Sequence, residues 1–315
     1  MVASSTWTRT WCVNPVPFDA TGSPDMDEYR RHVRFMVEGG VRGLVPLGLV
    51  GGGLQLTPTE RDLVVTATIE AAGPDVVVYP AILDAFGSAE LAERIDRYAD
   101  LGAHGIYLGT SPFVRADESG SHALVDGALR RTATDLPIVC YDNSNFTGSR
   151  FGVGTALRLH DEHGRVAGYK QNDPAVVADV VAEVAGRFPV APPCYDRFTM
   201  LGYRNGCTFQ AAAGAAVVPR AVAVVSDLVG AGRLDDAERV SEGFAPLYAL
   251  PEHEWIADSL ALYAGIYCHL LQRQGFRFVP PAPFRWPLPE WLSRRLDETW
   301  EQVASSYAAL EAVQS

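Results

Sequence analysis

The chain has 315 residues and a mass of 34.1 kDa, with 48% hydrophobic and 20% charged positions and a formal net charge of −12. These values exclude a disordered chain, a collagen or a coiled coil, and leave enough apolar material for a core that needs neither metal nor disulfide to hold it. The excess of 38 Asp+Glu over 26 Lys+Arg argues against a nucleic-acid partner, which is bound by clustered cations, but is compatible with a small anionic substrate.

Eight strand-like apolar runs are expected in chain order: 11–16, 41–47, 76–83, 105–108, 137–141, 166–170, 190–194 and 206–211. Helical periodicity falls between and after them, at 25–38, 58–72, 88–101, 121–134, 154–162, 174–187, 197–204 and 219–229. The clearest helix start is Thr57-Pro58-Thr59-Glu60, with a capping hydroxyl, proline at the first helical position and Glu at the third. Eight alternating units without a linker predict an α/β protein, a (β/α)8 TIM barrel over residues 1–232. Further helices at 234–249, 253–274 and 289–314, interrupted by Pro280-Pro281-Ala282-Pro283, predict a C-terminal helical extension over 233–315 packed on the barrel.

No apolar run approaches the ~20 residues of a membrane span, and Met1 to Val13 has no basic stretch leading into an apolar one, so no membrane partner and a cytoplasmic location are expected. The five cysteines are scattered singly, without the close spacing of zinc or redox motifs, and reduced thiols are expected. Gly48 to Gly53 lacks the Gly-Lys-Ser/Thr ending of a nucleotide-binding loop, and His160 and His163 close a helix in an acidic, solvated stretch. Neither a cofactor nor a metal is expected.

Of the 26 basic residues, 25 are Arg and one, Lys170, is Lys. Arginine cannot be deprotonated at physiological pH, so among the basic side chains only Lys170 can form an imine. It falls at the end of the sixth strand, the end at which a barrel carries its chemistry. Apolar surroundings there disfavour an ammonium and favour the free amine that attacks a carbonyl. A genome rich in Arg codons also explains a scarcity of lysine, and Tyr141, ending the neighbouring strand, is either a core aromatic or a phenol placed to move protons beside Lys170. Other strand ends offer Asp84, Tyr195 and Asp196, while Arg115 and Arg197 on following loops are candidates to meet a substrate carboxylate or to serve in surface pairing.

These residues resemble the dihydrodipicolinate synthase and N-acetylneuraminate lyase superfamily of Schiff-base barrels. Val16-Pro17-Phe18-Asp19 with Gly22 and Asp25 resembles its opening strand and turn. Gly48, Leu49, Val50 and Gly51, with Leu56-Thr57 and Glu60-Arg61, follow its substrate-carboxylate loop. Cys140-Tyr141 with Thr147-Gly148 is similar to the segment of its catalytic tyrosine, and Gly168-Tyr169-Lys170 to that of its lysine. The resemblance covers roughly Trp11 to Arg285 and implies catalytic Lys170 and Tyr141, a small-molecule carbonyl substrate and a homotetramer or homodimer.

Departures from the family pattern narrow the expectation. Leu49 and Val50 stand where the family offers threonine hydroxyls, Gly52 where it has Glu, and Gln171 follows the lysine in place of Glu; the synthases' carboxylate-binding arginine after the tyrosine is missing. Tyr141 with Asn145, and Thr208 with Phe209, resemble the 5-dehydro-4-deoxyglucarate dehydratase branch. The substrate-contacting set is therefore Gly48, Leu49, Val50, Gly51, Asn143, Asn145, Gln171, Thr208 and Phe209, with the glycine-rich turn holding an anion through its amides or Leu49 and Val50 lining a less polar pocket. The expected activity is a lyase or aldolase working through an imine. A keto-deoxy sugar acid dehydratase and a non-catalytic metabolite-binding barrel are the alternatives.

Overall fold

The computed structural model describes residues 9–19, 21–113, 115–193, 196–248, 260–282 and 286–312. Its strands are β1 (Thr10–Cys12), β2 (Gly43–Leu44), β3 (Val77–Val78), β4 (Ala81–Ile82), β5 (Ile106–Gly109), β6 (Ile138–Asp142), β7 (Val166–Gln171), β8 (Val190–Ala191) and β9 (Gln210–Ala211). All pairings are parallel, in two sheets ordered β3-β2-β1-β9 and β4-β5-β6-β7-β8. The sheets form one ring, because β3 and β4 are halves of the expected third strand, parted by Tyr79 and Pro80, and proline has no amide for the ladder. On the other side the Thr208 amide donates to the Val190 carbonyl at 3.1 Å and links β8 to the β9 segment. The fold is the expected (β/α)8 barrel.

The barrel helices are α1 (Met26–Glu38), α2 (Pro58–Ala72), α3 (Ser88–Asp100), α4 (Glu118–Leu129), α5 (Ser144–Thr147), α6 (Val153–His163), α7 (Val177–Val184), α8 (Asp196–Arg204) and α9 (Pro219–Gly230). They are followed by α10 (Leu234–Glu242), α11 (Ala245–Tyr248), α12 (Leu260–Arg273) and α13 (Glu290–Ala312). The capping box at Thr57 and Glu60 forms as expected. Three features depart from the sequence reading. The short α5 was not foreseen, and the helix expected over 234–249 breaks at Gly243 into α10 and α11. The segment expected as one helix over 174–187 is a 3-10 turn (Pro174–Val176) followed by α7, which stops where Ala185 takes φ 50°. α13 packs on α9, α11 and α12.

Strand alternation sorts the side chains. Thr10 points outward, its hydroxyl on the Val222 carbonyl and Ser226 of α9. Trp11 points inward, packing against Tyr79 at 4.7 Å and Phe209 at 5.4 Å between ring centroids. Room for the indole comes from Gly43 across the ladder, where a Cβ would lie 2.4 Å from Trp11 Cγ.

Behind the barrel His32 is completely buried, with Nε2 2.8 Å from the Ala216 carbonyl oxygen and aromatic neighbours Phe276 and Phe278. Desolvation holds its pKa down at about 4. An unfolded chain therefore binds a proton at this site between about pH 6.5 and 4 that the native chain does not, so the stability this neutral imidazole contributes is present above that window and is lost as pH falls through it. We expect the unfolding free energy to drop by a few kcal/mol (about 1.4 per pKa unit) between pH 7 and 4. A His32→Gln variant, measured by urea denaturation, should lose most of this histidine's share of the slope.

Candidate active site

The chemistry-bearing end of the barrel is built by register. β6 and β7 pair Tyr141 with Lys170, and β5 and β6 pair Gly109 with Tyr141. These residues share the inward parity of Trp11, so the amine and the phenol ring stand side by side inside the ring, with Lys170 Nζ 5.3 Å from the Tyr141 centroid. Lys170 is 5% exposed, and Nζ donates to the Ala211 carbonyl at 2.7 Å. Among the described residues no carboxylate lies within ion-pairing distance of it. One turn lower Tyr107 packs on Tyr141 at 5.2 Å between centroids.

Gly109, beside the tyrosine, makes room for Leu83. A Cβ there would sit 2.7 Å from Leu83 Cδ2 and 3.4 Å from Tyr141 Cδ1. Beside it lies a narrow pocket, too tight in this structure to admit a water molecule, with Leu49 and Leu83 as its apolar wall and Thr110, Asn143 and Thr147 as its polar one, Tyr141 between them. The Thr110 and Thr147 hydroxyls are 2.9 Å apart, and Thr147 also meets the carbonyls of Asn143 and Ser149. Asn143 accepts from the Asn172 side chain at 3.0 Å.

Leu47, buried and bulky, takes φ 67°, a left-handed conformation costing about 1–2 kcal/mol. It ends β2's run and turns the chain into two 3-10 turns, Leu49–Gly51 and Gly53–Gln55. Their glycines serve close packing: a Cβ would lie 2.3 Å from Val13 Cγ1 at Gly48, 2.7 Å from the Asn14 carbonyl oxygen at Gly51 and 2.1 Å from the Leu47 oxygen at Gly53. The amides of Gly51 and Gly53 donate to the Gly48 carbonyl, and that of Gly52 to Leu49. Three amides of the supposed anion nest are thus engaged within the turn, and of its side chains Leu49 reaches the pocket. α12 packs against this turn.

The remaining sequence candidates divide. Gln171 has outward parity; its side chain approaches Asp142 at 3.5 Å and accepts from the Asp173 amide at 2.8 Å. Phe209 is fully buried against Trp11. Thr208 is exposed and precedes β9, three residues before the Ala211 that receives Lys170, because the strand's inward and upper positions belong to Phe209 and Ala211. Val50 does not line the pocket. The Asn145 side chain and Tyr195 lie outside the described residues, as do the side chains of Asp196 and Arg197. Asp84 is engaged by Arg61 at 2.9 Å and Arg94 at 2.6 Å; burial alone would raise its pKa, and the two guanidiniums outweigh this and hold it down.

His160 and His163 part company. The first meets the Val166 carbonyl, the second Asp126. Asp126, Glu162 and His163 do bring possible ligand atoms within 4.8 Å of one another, but Arg130 and Arg158 already pair with the two carboxylates. Sequence reasoning missed Thr110 and Leu83. Thr110 directly follows β5, so reading the fourth strand's end as closely as the sixth's would have found it.

The model of the dihydrodipicolinate synthetase family matches residues 9–266. The chain belongs to that family. A 4-hydroxy-tetrahydrodipicolinate synthase of Stenotrophomonas maltophilia is 32% identical over 155 residues, covering 49% of this chain and 51% of the relative. A protein of Pseudarthrobacter chlorophenolicus named a probable 5-dehydro-4-deoxyglucarate dehydratase is 32% identical over 154 residues, covering 49% of this chain and 48% of the relative. The match spans about half the length of these curated relatives. Among solved structures, the 4-hydroxy-tetrahydrodipicolinate synthase of Methylacidiphilum fumariolicum superposes with a TM-score of 0.81 at 20% identity over 96% of this chain and 98% of that one. A family protein of Coccidioides immitis gives 0.81 at 22% identity over 98% and 100%. At such identities the superpositions establish the family's barrel.

The polar wall of this family member's pocket makes a specific prediction. In a double-mutant cycle of Thr110→Val and Thr147→Val, urea denaturation should give a coupling of about 0.5–1.5 kcal/mol, the worth of one buried hydroxyl pair.

Proposed function

We propose that the chain is a lyase of the aldolase type that binds a carbonyl substrate as an imine on Lys170, with Tyr141 moving the protons. The observation that carries this is the pairing of the chain's one lysine, buried and free of any described carboxylate, with a tyrosine ring 5.3 Å away at the pocket. In its free-amine form Lys170 can donate one N–H to the Ala211 carbonyl and still direct its lone pair at a carbonyl carbon. That pair forms the N–C bond while the carbonyl oxygen takes a proton from the Tyr141 hydroxyl. The carbinolamine nitrogen returns a proton to the phenolate, the phenol passes it to the carbinolamine hydroxyl, and water leaves as the C=N bond forms, giving a protonated imine beside a Tyr141 phenolate that can take the next proton. The protonated imine draws in the electrons of an adjacent C–H or C–C bond to give an enamine, which is the step common to cleavage and condensation.

A second reading, dehydration of a keto-deoxy sugar acid, shares the imine and adds loss of a hydroxyl. It is favoured by the likeness to the P. chlorophenolicus relative and by the neutral hydroxyl and amide groups of Thr110, Thr147 and Asn143, which suit a polyol. Family membership also supports a cytoplasmic homotetramer or homodimer, which light scattering would size. No helix of the described residues is long and apolar enough to cross a membrane.

Borohydride added with pyruvate, 2-oxoglutarate, 2-oxopentanoate or butanal should leave a reduced adduct mass on the peptide containing Lys170, and none in Lys170→Ala. Tyr141→Phe should slow turnover of the substrate so found by about 10²–10⁴. A Lys170→Ala protein with full turnover would end this proposal, and absence of any adduct across a wide carbonyl panel would favour the metabolite-binding barrel.

A further inference from the structure

The pocket poses a problem of recognition, since its walls carry hydroxyls, an amide and two leucines but no cation among the described residues. Leu49 and Val50 present no hydroxyl, and three amides of the glycine-rich turn are engaged within it. A cation stands just outside. Arg115 lies on the loop between β5 and α4, and its guanidinium packs over Gly148, the residue after the pocket-lining Thr147. A Cβ on Gly148 would be 3.3 Å from Arg115 Nε and 3.8 Å from Cζ. The two loops are tied together here. The Ala116 amide donates to Ser149 Oγ at 3.0 Å, and the Arg150 amide to the Ala116 carbonyl at 3.3 Å. Gly148 itself takes φ +69°, a conformation that glycine adopts without the strain a side chain would bring, and the bare Cα leaves the guanidinium its place.

Two other arginines near this end of the barrel are committed. Arg61 and Arg94 hold Asp84, and Arg94 also holds Glu90. Arg115 makes no ion pair and no hydrogen bond among the described residues, and it is exposed. A planar fork of donors carried by one of two tied loops and packed beside the pocket-lining segment, with no ion pair or hydrogen bond among the described residues, suits a carboxylate or phosphate.

We propose that Arg115 is a specificity-determining residue that reads a second, distal anionic group on the substrate, so that the preferred class is an oxo compound with a carboxylate or phosphate at the end away from the carbonyl. This rests on the imine reading of Lys170. The carbonyl end goes down to Tyr141 and Lys170, the middle passes Thr110, Thr147 and Asn143, and the distal anion stays at the rim with Arg115.

2-Oxoglutarate and 2-oxopentanoate test it, because they share a five-carbon 2-oxo acid and differ in the distal carboxylate. The readout is the concentration of each that gives half-maximal borohydride trapping on Lys170. Wild-type protein should be half-saturated by less 2-oxoglutarate than 2-oxopentanoate. Arg115→Ala should raise the ratio of the 2-oxoglutarate value to the 2-oxopentanoate value about tenfold, roughly the worth of one charge-assisted contact, and Arg115→Lys should restore part of it. A ratio unchanged by Arg115→Ala overturns the proposal.

If no carbonyl compound is trapped, the imine reading fails separately, and binding of glutarate decides the fate of Arg115. Glutarate should then raise the melting temperature of Lys170→Ala protein but not of the Lys170→Ala, Arg115→Ala double variant. An equal rise in both, or none in either, overturns the assignment.

Discussion

The side-by-side pairing of Tyr141 with Lys170 across β6 and β7 is the constraint from which the site follows. In a parallel ladder a slip of one residue sends a side chain to the other face of the sheet. Such a slip in β7 would turn the amine outward toward the helices, where Tyr169 now bonds the Phe151 carbonyl, and would bring Tyr169 inward in its place. Register is held by what the inner layers need. Trp11 requires Gly43 and Tyr79 requires Gly105, each glycine yielding the volume a neighbouring ring fills, and Gly109 yields the same to Leu83 beside Tyr141. Aromatic packing within the barrel thus fixes where Lys170 and Tyr141 stand above it.

Much of this was legible in the residues. The eight alternating units, the capping box at Thr57 and the position of Lys170 at a strand end follow from periodicity and from the chemistry of amines. What escaped did so for physical reasons. Strand parity sets Gln171 outward and makes Phe209 a filler of the interior, and parity depends on a register that composition does not reveal. Thr208 sits ahead of its strand's inward positions because β9 begins later than its apolar run suggests. The glycine run from 48 to 53 looked like a nest of amides, yet its glycines answer to Val13, Asn14 and Leu47, contacts that only the folded chain makes. Thr110 stands at a strand end where it could have been read, but its partner, the Thr147 hydroxyl 2.9 Å away on the next loop, is visible only in the folded chain.

The pocket is also a place where local strain and local order meet. Leu47 holds an unfavourable backbone conformation next to the turn that brings Leu49 to Tyr141, and α12 lies against that turn. The helices beyond the barrel proper therefore help to hold one wall of the site, although they contribute no lining residue among those described.

The acceptor for Lys170 Nζ is a main-chain oxygen, that of Ala211 on the strand that joins the ring back to β1. Evolution can exchange side chains around the amine one by one, but it cannot delete that oxygen by a point substitution. The aim of the amine is inherited from the closure of the cylinder, and this leaves the surrounding walls free to drift while the nitrogen keeps its bearing.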